Sequence, residues 1–320
     1  MEKIFERIGK EIDLEILSKE ICRVYKLGDY KEHKLILVGI DDLSYFLYTT
    51  NGKYIVKIIN HEKTNEEINE FIQKSNIITR NNIKAPRIIA YEGEYLFKYS
   101  IEDLHINLVV MEYIDGSDLY SINKQITKQD IDKIVDILVS LHKIKEELEN
   151  KEYDEYCFMK IKEDYLKTKN VLPKNIKVQV EKMIKEFDKI ELEKLPKYFI
   201  HGDLISTNIM KDKNEDLWLI DFYQSGIGVR ILDIVKLLNS VIDNYKYEND
   251  TEELERYFIE EYNKRIPLTA YELEVLPILR KIDVCVGMMM ETFDAIEGRD
   301  NEENQYWLEN DKRIFGKLKI

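Results

Sequence analysis

Within the stretch His201–Asp221, three oxygen-bearing side chains stand at a spacing that leaves the backbone few options. Asp203 and Asn208 are five residues apart in His201-Gly202-Asp203-Leu204-Ile205-Ser206-Thr207-Asn208. At that separation one short loop can aim both side chains at one point. Leu217-Trp218-Leu219-Ile220 reads as a short buried strand, and it delivers Asp221, followed by Phe222, to the same region. The second half of the chain must therefore interrupt whatever else it builds with a loop and a hairpin.

The pattern around that interruption divides in two. The first thirty residues carry Ile4, Ile8, Ile12, Leu17 and Ile21 at roughly helical intervals. Strands are expected at Leu35–Gly39, Tyr45–Thr49 and Tyr54–Ile59, and Asn51-Gly52 predicts a type I′ turn between the last two. Thr64 with Glu67 three residues on is a capping box, and Ile68, Phe71 and Ile72 give the helix that follows an apolar face. A further segment begins at Pro86, and Tyr95–Tyr99 and Asn107–Tyr113 read as two more strands. After Gly116 the pattern becomes helical. Thr127 and Asp130 make a second cap, followed by Ile131, Ile134, Val135, Leu138 and Leu141. Val178–Phe187, Leu232–Ile242, Glu252–Tyr262 and Tyr271–Ile296 read as helices too, with strand character expected only near Ile209 and Trp218–Ile220. The fold class is α+β: a small antiparallel β lobe with one packed helix, then a larger, mostly helical lobe.

One carboxylate that can orient a hydroxyl, with an amide and a second carboxylate that can hold a metal, is the minimum set for moving a phosphoryl group from a nucleotide to an alcohol. The run HGDLISTN, the later LIDF, Gly226, Gly228, and Asp233 in ILDIVKLL resemble the aminoglycoside/choline kinase-like small-molecule phosphotransferases of the protein-kinase-like fold. ILVSLHKI, around Leu141 and His142, is similar to that family's helix before the catalytic region. The resemblance runs from roughly Gly39 to Val241. It implies a bilobal plan with a nucleotide in the cleft, residues 1–113 forming the nucleotide-binding lobe with an N-terminal helical extension and 114–320 the catalytic and substrate-binding lobe. It also implies ATP or GTP as co-substrate and Mg²⁺ as cofactor.

Residue by residue, Asp203 is the expected catalytic group, placed to orient the acceptor hydroxyl and take its proton late; its bland reading is an Asx-turn aspartate. Asn208 and Asp221 are the expected Mg²⁺ ligands, since oxygen donors suit this ion. Lys57 shares a strand face with Ile55 and Ile59 and is expected to grip phosphates; the alternative is an edge lysine reaching to water. Its carboxylate partner is Glu66, Glu67 or Glu70. Glu67 is expected to turn back into its cap, which leaves Glu70. Gly39-Ile40-Asp41-Asp42-Leu43-Ser44 is either a phosphate turn, with amides near Ser44, or an ordinary hairpin turn. Glu112 and Ile114, in Val110–Gly116, are expected to offer backbone groups to the adenine. His201 and Asp233 read as braces, and His142 as a packed residue.

A net charge of −14 argues against a nucleic-acid partner and mildly favours a cationic acceptor. No apolar run reaches the length of a membrane span, the N-terminus lacks a signal-like segment, and the three scattered cysteines match no metal or redox spacing. The expectation is a reduced, cytoplasmic protein with no membrane partner. Protein phosphorylation is disfavoured because Asp233 follows Asp221 by only twelve residues, leaving little room for a peptide platform. A nucleotide-binding scaffold, such as a spore-coat-associated relative, is disfavoured because Lys57, Asp203, Asn208 and Asp221 are all retained. The hydroxylated acceptor is expected to be an aminoglycoside or amino alcohol. Glu291, Asp294, Glu297, Asp300, Tyr306 and Trp307 are its candidate contacts, or else a solvated acidic face.

Overall fold

The computed structural model describes residues 3–37, 42–101, 104–122, 124–146, 153, 157–243, 251–298 and 302–318. The chain forms two compact units, Met1–Gly116 with Trp218–Tyr223, and Ser117–Leu217 with Gln224–Ile320.

The first unit is built on five strands, β1 (Tyr30–Ile36), β2 (Leu43–Thr49), β3 (Lys53–Ile58), β4 (Phe97–Ile101) and β5 (Leu104–Glu112), in the order β1-β2-β3-β5-β4. All neighbouring pairs are antiparallel. Each face of this sheet has its own helix. Leu43, Tyr45, Leu47, Val56, Ile58, Leu108 and Val110 bury against Leu17, Ile21 and Tyr25 of α1 (Leu14–Tyr25). On the opposite face Ile59, Val109 and Met111 bury against Ile68, Phe71 and Ile72 of α2 (Asn65–Arg80). The period of two in β2, with alternate residues buried and half-buried, is what separates the two cores. The N-terminal helical pattern is split: a 3₁₀ turn at Lys3–Ile8 ends at Gly9 (φ 72°), and Asp13 caps α1 by accepting from the amides of Glu15 and Ile16.

The β2–β3 turn differs from the expected type I′, because neither Asn51 nor Gly52 adopts a positive φ. The Thr49 hydroxyl instead accepts from the amides of Asn51 and Gly52, and Thr50 is tied to Asp29 through its amide and its hydroxyl. These side-chain bonds hold a wider turn that needs no left-handed residue. The Thr64–Glu67 capping box is present in full.

The second unit begins with β6 (Gly116–Asp118), α3 (Leu119–Ile122) and α4 (Lys128–His142), the last started by the expected Thr127–Asp130 box. Then come α5 (Ile161–Thr168), α6 (Lys174–Phe187), β7 (Lys197–Ile200) and β8 (Ile209–Asp212), which lies beside β6. After β9 (Leu217–Leu219) follow β10 (Gly226–Val229), α7 (Ile231–Leu237) with a π turn at Leu238–Ile242, α8 (Glu252–Arg265), α9 (Ala270–Ile296) and α10 (Glu302–Lys317).

The β7–β10 pair, with Gly226 opposite Ile200, was not legible in the sequence. Two of the four β10 residues are glycines, which lowers strand propensity. A Cβ on Gly228 would stand 2.5 Å from Ile200 Cδ1, so the glycine is there to let the Ile200 side chain across. Directly after β10, Arg230 donates to both Glu272 carboxylate oxygens at 2.7 Å, and Glu272 also closes the Thr269 box that starts α9. Both side chains are almost wholly buried. Glu272→Ala removes the cap and strands a buried guanidinium, so it is expected to cost about 3–5 kcal/mol in denaturant unfolding. Glu15→Ala, at an exposed pair on α1, is expected to leave the denaturant midpoint nearly unchanged.

Candidate active site

The loop from His201 to Asn208 is held from inside the second unit. Asp233, fully buried in α7, accepts the amide of His201 at 2.9 Å and that of Gly202 at 2.8 Å. The same carboxylate bonds His142 Nε2 at 3.2 Å, and His142 Nδ1 bonds the Tyr262 hydroxyl at 2.7 Å. Burial raises the Asp233 pKa, but the hydrogen bond and charge of His142, the charge of His201 and the Gly202 amide outweigh it and hold the carboxyl below its usual range. Asp233 is thus the brace expected of it, and His142 is more than a packed residue because it completes the brace. His201 braces the loop as well, its Nδ1 accepting the Asp203 amide at 3.3 Å.

Gly202 sits at φ 87°, and a Cβ there would meet the Gln224 carbonyl oxygen at 2.2 Å. Only glycine satisfies both conditions. Beyond it, the Asn208 amide donates to the Asp203 carbonyl at 2.9 Å and to Asp203 Oδ2 at 2.8 Å. Asp203 and Asn208 are therefore brought together as expected. With its NH₂ committed to Asp203, Asn208 directs its carbonyl oxygen elsewhere as an acceptor. The amide of Ser206 is tied to Ser240 at 2.9 Å. Lys236, one turn beyond Asp233, pairs with Asp283 of α9 at 3.0 Å. Burial pulls its ammonium down, but the charges of Asp283 and Asp203 outweigh that and keep it protonated, so a buried cation lies within the field of Asp203. Sequence reading missed it because a lysine in an apolar helix carries no motif.

Asp221 folds with the first unit. Its segment is anchored by the Leu219 amide on the Lys84 carbonyl (2.9 Å) and by the Tyr223 ring stacked on Phe71 (centroids 4.3 Å apart). Between these anchors Asp221 is exposed and takes φ 64°, a left-handed conformation that costs a non-glycine residue about 1–2 kcal/mol.

The other expected residues of this unit fall as follows. Ser44 and Lys57 are direct cross-strand partners on β2 and β3, so they share a face. The carboxylate beside Lys57 is Asp42, 3.5 Å away. Glu67 is turned into its cap, and Glu70, 53% exposed, pairs with Lys74 at 3.0 Å. Glu112 pairs with Arg87, and its amide donates to the Arg87 carbonyl at 3.0 Å. Ile114 is buried, with its carbonyl taken by the Gly116 amide. Gly39, Ile40 and Asp41 of the expected phosphate turn, and Asp300, lie outside the described residues. Asp42 could have been found from the sequence, since it stands two residues before Ser44 and so shares the Lys57 face.

Residues 32–268 match the Phosphotransferase enzyme family, so the chain belongs to that family of phosphotransferases, the one its motifs resemble. Among curated proteins none matches the chain. Among solved structures, an amicoumacin kinase (hAmiN) bound to AMP-PNP, Ca²⁺ and Ami is similar at 15% identity and a TM-score of 0.71, over 96% of this chain and 94% of that one. A microcompartment-associated aminopropanol kinase is 15% identical, with a TM-score of 0.69 over 95% of both chains. The choline kinase LicA of Streptococcus pneumoniae is 18% identical, with a TM-score of 0.66 over 95% and 98%. These likenesses carry the kinase-like fold.

The depressed Asp233 pKa has a consequence below the ordinary carboxylate value. The unfolded chain protonates this group first as pH falls, so its stabilising share is complete above about pH 4 and is lost as pH drops through the folded pKa. Denaturant midpoints followed from pH 6 to 2.5 should fall less steeply for Asp233→Asn than for the wild type, from a lower starting stability. Amide exchange at His201 and Gly202 should speed up in the same variant.

Proposed function

We propose that this chain transfers the γ-phosphoryl group of ATP or GTP to a hydroxyl of a small, amine-bearing molecule. The observation that carries the reading is the loop in which Asp203 is held at hydrogen-bond distance from Asn208 above the buried Asp233 brace. In this reading Asp203 orients the acceptor hydroxyl and takes its proton late in transfer. The attack is direct and in line, with no covalent enzyme intermediate.

Asn208 and Asp221 are the residues assigned to Mg²⁺. One amide oxygen and one exposed carboxylate fit a hard ion that keeps phosphate and water in its shell. Among the described residues no three His, Cys, Asp or Glu side chains cluster to hold a metal by themselves. When bound, the ion would neutralise phosphate charge. Lys57 is assigned to the phosphates, Ser44 to the same face of the sheet, and the backbone at Glu112 and Ile114 to the base. Glu70, expected to partner Lys57, pairs with Lys74 instead and is given no part in the phosphate grip.

The acceptor assignment rests on acids that cluster in the second unit. Asp311 is pushed well above the usual carboxyl range by burial, then by the charges of Asp283 and Glu291. Glu291 and Asp294 are buried, and Glu291 bonds Asn304 at 2.6 Å, so these two are not a solvated face, whereas Glu297 is exposed. Tyr120, Tyr306 and Trp307 pack ring against ring, with centroids 4.7–6.0 Å apart. Mutually repelling carboxyls and aromatic faces suit an ammonium group. The kinase structures similar in fold include those for choline and aminopropanol, which supports an aminoglycoside or amino alcohol as acceptor. The net charge of −14 fits the same choice and suits no nucleic acid. Among the described residues no helix is long and apolar enough to cross a membrane. A cytoplasmic location fits a nucleotide-using enzyme.

A screen of aminoglycosides and amino alcohols with MgATP and MgGTP, with product identified by mass, tests this reading; no phosphorylated product from any hydroxylated acceptor would sink it. Asp203→Ala is expected to lower transfer about 10³-fold or more while nucleotide affinity stays near wild type. Asp221→Ala is expected to abolish metal-dependent nucleotide binding in calorimetry. Acceptor affinity should rise with pH, because a bound cation favours ionised Asp311 and so must displace its proton at low pH. An acceptor KM that is flat with pH contradicts the acidic pocket.

A further inference from the structure

Lys63 belongs to no motif, yet it stands beside Lys57. Its ammonium is 3.3 Å from Asp42 Oδ1, while that of Lys57 is 3.5 Å from Asp42 Oδ2. Both also lie over one ring, Lys63 at 3.5 Å and Lys57 at 4.9 Å from the Tyr223 centroid. The sheet explains half of this convergence. Asp42 and Ser44 are two apart and so share a face, and Ser44 is the cross-strand partner of Lys57. The Asn60–Lys63 turn explains the other half, because the Asn60 amide donates to Asp42 Oδ1 at 2.9 Å and the Lys63 amide closes on Asn60. The Asp42 carbonyl is held in turn by Arg7 at 3.1 Å.

From this geometry we propose that Lys57 and Lys63 act as a two-cation grip for the phosphates of the nucleotide, with Asp42 and Tyr223 as the positioning residues that set it. The proposal rests on the phosphotransferase reading above and adds three residues to it. Asp42 is fixed behind the pair, with 4% of its side chain exposed against 17% and 15% for Lys57 and Lys63. The ammonium groups are therefore on the open side and the carboxylate is not. Two ammonium groups on one carboxylate leave an excess of positive charge, which an anion would neutralise. The Tyr223 ring attracts both cations through its face and is stacked on Phe71. Tyr223 is also only two residues from Asp221, so one rigid ring fixes both the cation pair and the segment bearing the metal carboxylate.

The test is calorimetric binding of MgATP, MgGTP, tripolyphosphate and adenosine to the full chain. Lys63→Gln is expected to weaken tripolyphosphate and MgATP binding about tenfold and to leave adenosine unchanged, as loss of one charge-assisted contact requires. Lys63→Arg should restore most of the loss. Asp42→Asn should weaken the triphosphates too, because the two ammonium groups lose the carboxylate that positions them. Lys19→Gln, a charge-matched change on exposed α1, should bind as the wild type does. Equal MgATP affinity in Lys63→Gln and wild type overturns the grip. So does an equal loss for adenosine, which would make Lys63 merely structural. Tighter triphosphate binding by Asp42→Asn overturns it as well, because Asp42 would then be a competitor for the site. A wild-type chain that binds neither MgATP nor MgGTP would instead overturn the phosphotransferase reading itself.

Discussion

A carboxylate with no access to water organises the second unit. Asp233 would be costly to bury alone, and it is tolerated because two backbone amides, those of His201 and Gly202, and the ring of His142 all converge on it. That convergence fixes the path of the loop carrying Asp203 and Asn208. It also explains why the residue bearing the second amide has to be glycine: the chain turns through a left-handed conformation against the Gln224 carbonyl, where a side chain has no room. The pairing of Asp203 with Asn208 is thus inherited from a buried charge thirty residues later in the chain.

The first unit solves a different problem, the holding of cations. Its sheet is covered by α1 on one face and α2 on the other, and the polar positions Asp42, Ser44 and Lys57 fall on the α2 face. The aromatic pair Phe71–Tyr223 supplies a ring that ammonium groups can approach while the hydrocarbon parts of the lysines stay packed. The same ring moors the segment that carries Asp221, whose left-handed backbone needs an anchor at each end. Packing and electrostatics are in this way carried by the same few side chains.

Membership of the phosphotransferase family agrees with this division of labour. Phosphoryl transfer asks little covalent chemistry of a protein and much positioning of charge. Asp233, His142 and Gly202 hold the loop, and Asp42 and Tyr223 hold the cations, without being assigned any contact with substrate. The acids of α9 and α10, with Asp311 driven toward its neutral form by burial and then by the charges of Asp283 and Glu291, are a third region of closely placed ionisable groups.

Local chemistry wrote much of this into the sequence. The capping boxes at Thr64 and Thr127, the alternation in β2, the helical stripe of α4 and the close spacing of Asp203 and Asn208 depend on neighbours a few residues away, and so could be read directly. The same holds for Asp233 as a brace, since its position in ILDIVKLL belongs to the motif. What depended on distant partners could not be read. β10 pairs with β7, with the Ile200 side chain lying over Gly228, across some twenty-five residues of chain. Asn51-Gly52 forgoes its preferred turn because Thr49 and Asp29 bond the backbone first. Asp42 rather than Glu70 lies beside Lys57 through strand register, which its two-residue spacing to Ser44 could have shown, but Lys63 joins them only through the Asn60 turn and one aromatic ring, which no local periodicity relates.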